Sequence, residues 1–298
     1  MGTGKLRLAL LLACGLVPAV QASPTPGPHR VTILYDAFGG RAGLTRDWGF
    51  AALVEYGGKR ILFDTGNNAA IFSQNVRALG VDLARLDFVV ISHRHSDHSA
   101  GLSQVLRMNP TVKIYAPKEA FGEFGSTISG SFYRRDETLP DSMRYFTGSP
   151  PAEIAGGTVW PEANIRWIDS LTQVAPGVTI ISTISRTPGT LELRELSLAV
   201  CGPAGLVLLV GCSHPGIETI LEASRPLGER VHVIFGGLHL PAAADTAIAR
   251  LAASLKDRWE VARIAPGHCT GEPAFAALRR LFGSQYVYAG LGSVIEVP

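Results

Sequence analysis

Cysteine is scarce in this 298-residue chain: Cys14, Cys201, Cys212 and Cys269 are all it has. With Cys14 in the leading stretch, three remain for the body. An odd, sparse set excludes a disulfide framework even in an oxidising compartment, so stability has to come from the core. Charge is sparse too, at 17% of residues with a net of +2, and the Lys and Arg residues never gather into a run. That removes the electrostatic footprint of a nucleic-acid binder. Long apolar runs are missing as well: Leu8 to Val20 falls short of the ~20 residues a spanning helix needs, and Pro18 interrupts it, so no stable membrane span is expected. No internal repeat is evident. What is present is 46% hydrophobic residues, enough at this length for one large core.

The leading stretch reads as an export signal. Lys5 and Arg7 precede the apolar run, and Val20-Gln21-Ala22 offers small residues for cleavage, so residues 1–22 are expected to be a signal peptide and the protein to be exported, periplasmic or secreted. Leu11-Leu12-Ala13-Cys14 resembles the lipobox of bacterial lipoproteins, an alternative that would leave a lipid anchor at Cys14. Residues 23–29, rich in Pro and Gly, form a flexible lead-in, and residues 30–298 are expected to form a single domain.

Within that domain, Val31 to Tyr35, Ala51 to Tyr56 and Lys59 to Phe63 read as strands, the last two joined at Gly57-Gly58 by a tight hairpin turn. Leu86 to Ile91 is a buried strand with His93 following it. Gly101 to Met108 has helical spacing, Val112 to Tyr115 is strand-like, and Pro117 to Phe124 is expected to be a helix. Residues 125–176 are a loop-rich insert with short strands such as Ile165 to Ile168, the best candidate for a lid. Regularity returns with strands at Val178 to Ile184, Leu196 to Cys201, Leu206 to Val210 and Val231 to Phe235. Helices are expected at Ile217 to Ala223, Ala242 to Leu255 and Pro273 to Leu281, and a strand pair, Tyr286 to Tyr288 with Ser293 to Val297, at the end. Strands first, then strands alternating with helices, imply an α/β fold of sheets covered by helices.

Three of the eight histidines fall in His93-Arg94-His95-Ser96-Asp97-His98. Neutral imidazole and carboxylate are good ligands for zinc and other divalent first-row metals. In an extended or looping segment alternate residues point the same way, so His93 and His95 can grip one ion. Asp97 and His98, turning into the next helix, can address a second, the arrangement of two-metal hydrolysis. Asp64-Thr65-Gly66 admits an aspartic-protease reading, but that needs a second copy or a dimer and no second copy is present.

His93-x-His95-x-Asp97-His98 after an apolar strand resembles the signature of the metallo-β-lactamase superfamily, and Asp64-Thr65-Gly66 its upstream motif. Gly211-Cys212-Ser213-His214-Pro215-Gly216-Ile217, Gly236-Gly237-Leu238-His239-Leu240 and Gly267-His268-Cys269-Thr270-Gly271 resemble one branch, the dihydropterin-type ribofuranosylaminobenzene phosphate synthases. The resemblance implies a four-layer αβ/βα sandwich and a centre of two divalent ions, zinc foremost, with iron and manganese as alternatives. His93, His95 and His214 would surround one ion, and Asp97, His98 and His268 the other. Asp64 would orient a ligand histidine through its other ring nitrogen.

Two positions depart from the family pattern. Thr187-Pro188-Gly189-Thr190 stands where other hydrolases have a ligand histidine, and Cys212 where many place a bridging aspartate. Cys212 is either a thiolate ligand or a small buried residue beside the ligands. His239 completes the metal shell, contacts substrate or gives a proton to the leaving group; it and Asp97 are the candidates for catalytic roles. His232 reads as structural. The implied activity is hydrolysis of an ester, lactone, amide or phosphoester of a small molecule by metal-activated water. A synthase or transferase, as the named branch suggests, and a periplasmic metal-binding protein without turnover are the alternatives.

Overall fold

The computed structural model describes residues 29–119, 124–129, 144–157, 163–190, 192–228 and 230–298, with residues 1, 137–138 and 140. The expected signal peptide, the lipobox and nearly all of the lead-in lie outside them.

The chain opens with β1 (Arg30–Tyr35), β2 (Ala51–Tyr56) and β3 (Lys59–Phe63), then α1 (Ala69–Ala78), β4 (Phe88–Val90), α2 (Ser96–Ser99), α3 (Leu102–Met108) and β5 (Lys113–Pro117). A hairpin, β6 (Phe124–Ser129) with β7 (Glu153–Gly157), and β8 (Asn164–Ile168) follow. The second half runs β9 (Thr172–Ala175), β10 (Val178–Ile184), β11 (Arg194–Gly202), β12 (Gly205–Val210), α4 (Ile217–Ser224), β13 (Val231–Gly236), α5 (Asp245–Ala253), β14 (Arg263–Pro266), α6 (Glu272–Phe282) and β15 (Val294–Glu296).

Two mixed sheets result. One has the order β15-β1-β2-β3-β4-β5-β8, the other β14-β13-β12-β11-β10-β9. Each begins with antiparallel hairpins and continues as parallel strands: β3, β4, β5 and β8 in the first, β12, β13 and β14 in the second. The Gly57-Gly58 turn joins β2 to β3 with both glycines at positive φ (55° and 77°), the backbone of the hairpin turn whose twist matches its strands.

Side chains alternate along each strand, but both faces are apolar. In β3, Ile61 and Phe63 point between the sheets while Leu62 packs outward; in β12, Val207 and Leu209 point inward and Leu206, Leu208 and Val210 outward. Strands covered on both faces read as continuous apolar runs, which is why these stood out in the sequence. The outward face of the first sheet is covered by α1 and α3, that of the second by α4, α5 and α6. The layers are therefore helix, sheet, sheet, helix, the α/β sandwich expected.

Two expectations need correction. The helix expected over Pro117 to Phe124 is not formed at its described residues: Pro117 ends β5 and Phe124 begins β6, residues 120–123 lying outside the description. Lys118 N–H instead donates to Ile168 O, and the Glu119 carboxylate takes Arg194 N–H and Arg94, tying this stretch across the sheets. The C-terminal segments do not pair with each other. Tyr286 makes a single bridge to Ile264 in the second sheet, whereas β15 pairs with β1 in the first, because the chain crosses from one sheet to the other between them. In the 125–176 stretch the short strand expected at Ile165 to Ile168 is formed as β8, and β8 and β9 are edge strands of the two sheets.

Candidate metal centre

Parallel strands end on the same edge of a sheet, and in this fold the strand ends of both sheets meet. Asp64 follows β3, His93 follows β4, His214 follows β12, His239 follows β13 and His268 follows β14. Four of the residues leaving these strands take left-handed backbone: Asp64 (φ 59°), Ser213 (60°), His239 (51°) and His268 (45°). Such conformations are costly for residues other than glycine and persist where the surroundings over-determine them, most often at functional sites.

The His93–His98 run spans the end of β4 and the short α2, with His93 and His98 buried, His95 and Asp97 half-buried. His93 Nε2 lies 3.1 Å from His95 Nδ1, and its Nδ1 lies 2.9 Å from Ser92 Oγ. Asp64 is fully buried; its carboxylate accepts Ser92 N–H (2.6 Å) and Ser92 O–H (2.7 Å) and lies 2.7 Å from His98 Nδ1. With that nitrogen tied to Asp64, His98 turns Nε2 inward, 3.2 Å from His268 Nε2 and 3.2 Å from Cys212 Sγ. Asp97 Oδ2 stands 3.3 Å from His268 Nε2 and 3.8 Å from His98 Nε2.

From the other sheet, His214 brings its ring to 4.7 Å from that of His93 and 4.9 Å from that of His95. Its Nδ1 is held at 3.0 Å by Glu195 Oε2, a buried carboxylate that also accepts the backbone N–H groups of Cys212, Ser213 and His214. His268 is fixed through its backbone, whose N–H donates to Asp36 Oδ2 at 2.9 Å. Burial pushes the Asp36 carboxyl up to about 7 against the opposing pull of that N–H.

Burial and the surrounding imidazoles hold His93 well below its ordinary value, and burial together with His214 holds His95 at about 4, so both offer lone pairs at neutral pH. For Asp97, burial acts upwards, but the hydrogen bond from His268 and the nearness of His98 outweigh it and keep the carboxyl well below the usual range.

The ligand atoms of His93, His95 and His214 lie within 4.8 Å of one another, as do those of Asp97, His98 and His268. A tetrahedral zinc with nitrogen ligands at 2.0–2.1 Å would space them about 3.3–3.4 Å apart. The 3.1 Å and 3.2 Å nitrogen separations, between atoms facing the same point, fit a divalent ion far better than a packed apolar core. The structure thus brings together all six residues expected to hold metal, with Asp64 against His98 and Cys212 between the two triads. His239 stands at the rim, exposed, its ring 4.5 Å from that of His214.

Thr190 supplies no ligand, and its loop has other work. Ser185 and Thr187 hydroxyls donate to His214 O at 3.1 and 3.3 Å, and Thr190 Oγ1 bonds Ser185 Oγ at 2.8 Å, so the loop braces the histidine from behind. Sequence reasoning missed Glu195, Asp36, Ser92 and the donor capacity of Cys269. A lone carboxylate heading the apolar run Leu196 to Cys201 was the available signal for Glu195; for Asp36 and Ser92 there was none.

Beside His268 opens a cleft of about 500 Å³ walled by Phe38, Trp48, Pro241, Pro273 and Phe275, with Glu272 at its margin. The Trp48 ring, half exposed, lies 5.1 Å from that of His268.

Residues 44–268 match the family model described as the metallo-β-lactamase superfamily. The chain is 27% identical to an uncharacterised protein of Methanocaldococcus jannaschii over 266 residues, 84% of this chain and 93% of the other. It is also 27% identical to the 7,8-dihydropterin-6-methyl-4-(β-D-ribofuranosyl)-aminobenzene-5′-phosphate synthase of the same organism, over 80% of this chain and 84% of the relative. Among solved structures, Tm1679, described as a metal-dependent hydrolase of the β-lactamase superfamily, superposes with a TM-score of 0.67 at 26% identity, covering 90% of this chain and 99% of that one.

Proposed function

This chain belongs to the metallo-β-lactamase superfamily, and from that premise we propose that it is a metal-dependent hydrolase of a small, uncharged acyl substrate: an ester, lactone or amide. Two divalent ions, zinc foremost, would be held by His93, His95 and His214 and by Asp97, His98 and His268. The convergence of these six donors from two sheets carries the reading. Such ions lower the pKa of coordinated water towards neutrality and polarise a carbonyl or phosphoryl oxygen.

The chain's own groups prepare that chemistry. Asp64 and Glu195 hold the Nδ1 protons of His98 and His214, which leaves each Nε2 lone pair free for a ligand. Asp97, ionised at neutral pH, would hold an ion through Oδ2, the oxygen facing His98 and His268, and accept a hydrogen bond from the attacking nucleophile on its other oxygen. His239, exposed at the rim, would give a proton to the leaving group when its imidazole holds no cation.

The cleft beside His268 supports this substrate class. Aromatic rings and prolines wall it, its margin is acidic, and among the described residues it has no Lys or Arg to meet a phosphate. A neutral apolar or aryl acyl group fits such walls, whereas a phosphoester would be desolvated there without a cationic partner. The synthase reading draws support from the archaeal relative, but the product in that protein's name carries a phosphate. The export pattern of residues 1–22 also favours an extracytoplasmic hydrolase.

Replacing His95 and Asp97 together with Ala is expected to bring both metal content and turnover down to background on a panel of esters, lactones, β-lactams, amides and phosphodiesters. Full activity of that variant in chelator-treated buffer would sink the hydrolase reading. A wild-type protein that loads metal yet turns over nothing on the panel would point to a binding protein instead.

A further inference from the structure

Among the described residues, nine side chains at the shared edge of the two sheets fall into groups of three whose ligand atoms lie within 4.8 Å of one another, and the two proposed ions engage six of them. The other three are Cys212, His239 and Cys269, whose Sγ and imidazole nitrogen atoms lie within 4.8 Å of one another. We propose that these three form a third cation site, sulfur-rich and selective for a thiophilic d10 ion such as Zn²⁺ or Cd²⁺.

The three triads share no residue, and their donor chemistry differs. Imidazole and carboxylate accept most first-row divalent ions, whereas thiolates favour soft and borderline ones. An ion with Zn–S bonds of about 2.3 Å spaces two tetrahedral sulfurs about 3.8 Å apart and a sulfur and nitrogen about 3.6 Å apart, separations the trio reaches with small side-chain adjustments. Both thiols are free and buried, at 3% and 2% exposure, while His239 faces solvent and leaves an entry path.

The backbone is cut to bring the two sulfurs together. Gly237 sits between their segments: a Cβ there would stand 2.6 Å from Cys269 Sγ and 3.3 Å from Cys212 Cα. The positive φ of His268 turns the chain so that consecutive residues serve different sites, His268 facing Asp97 and His98, Cys269 facing Cys212 and His239. Cys212 lies at the seam. Its Sγ is also within 4.8 Å of the ligand atoms of His93 and His98, so its thiolate can sit between the third ion and the histidine-held pair. Two thiolates and a neutral imidazole would balance a divalent charge.

The test does not depend on turnover. Reduced, metal-free full-length protein is titrated with Cd²⁺, following thiolate-to-metal charge-transfer absorption in the ultraviolet and counting bound ions by elemental analysis. Wild-type protein should take one ion more than Cys269→Ser and show a band that falls by half or more in that variant; the difference cancels any contribution of Cys14 and Cys201. His239→Ala, an exposed change that spares the fold and both thiols, should weaken the third ion at least tenfold. His93→Ala with His95→Ala should lose an ion but keep the band. The proposal is overturned if Cys269→Ser matches wild type in count and band, if His239→Ala binds the third ion as tightly as wild type, or if the band vanishes with His93 and His95. In the last case the sulfurs belong to the histidine-held ions. An inactive wild-type protein that still binds the extra ion would refute the hydrolase reading alone.

Discussion

Glu195 shows how much one side chain can hold in place here. Buried from solvent, it accepts four hydrogen bonds: the N–H groups of Cys212 and Ser213 on Oε1, and the N–H and Nδ1 of His214 on Oε2. Glu195→Ala would strand those donors in a site that water cannot easily replace, costing on the order of 3–5 kcal/mol in urea unfolding. Glu195→Gln keeps the shape but loses the charge and the second acceptor. It is expected to spare most of the stability while weakening metal binding roughly 10–100-fold in a chelator competition. Wild-type metal affinity in that variant would remove His214 from the ligand set. At this scale the sequence was informative where donors are contiguous, as in His93 to His98. It was silent where a carboxylate's role depends on what folds against it, as with Glu195 and Asp36.

The elements explain why the donors arrive at one place. The other histidines of the site, His214, His239 and His268, each follow a parallel strand of the second sheet, and the strand ends leave almost no space between them. Gly211, at the end of β12, shows the tolerance: a Cβ there would stand 2.3 Å from Ser92 Oγ and 3.2 Å from His93 Nδ1. Gly211→Ala should therefore push on the Ser92 hydroxyl that bridges Asp64 and His93, costing about 1–3 kcal/mol by the usual penalty of overpacking. It should also lower metal affinity; an unchanged melting temperature together with unchanged metal content would show the strand ends to be looser than they look. Element types were mostly readable from the sequence, because doubly covered strands are apolar throughout and the Gly57-Gly58 turn announces its hairpin. Pro117 to Phe124 misled because a short amphipathic stretch looks helical whether or not tertiary hydrogen bonds, here from Lys118 to Ile168 and from Arg194 to Glu119, hold residues out of a helix.

For the whole molecule, the two sheets share a core that includes Phe63, Leu209 and Phe235, and the metal donors bridge its open end. His93, His95, Asp97 and His98 come from the first sheet, His214 and His268 from the second, so each proposed ion would staple one sheet to the other. Free Zn²⁺ at a hundred times its dissociation constant should then raise stability by about 2.7 kcal/mol in denaturant titrations, an increment that shrinks in His214→Ala. Equal stability with and without the ion would mean that it binds folded and unfolded chains alike. The sequence alone determined the strand and helix types over most of the chain and the donor run His93 to His98, because apolar periodicity and imidazole clustering are local properties of the chain; the layer pattern, His214 and His268 were legible only through the family resemblance. Only the tertiary structure brought His214 and His268 up to the His93–His98 run, set Glu195 and Asp36 behind these histidines, and carried Cys269 to within reach of His239 and of Cys212, 57 residues away in the chain. Those facts depend on where strands from distant segments end side by side, which no window of sequence records.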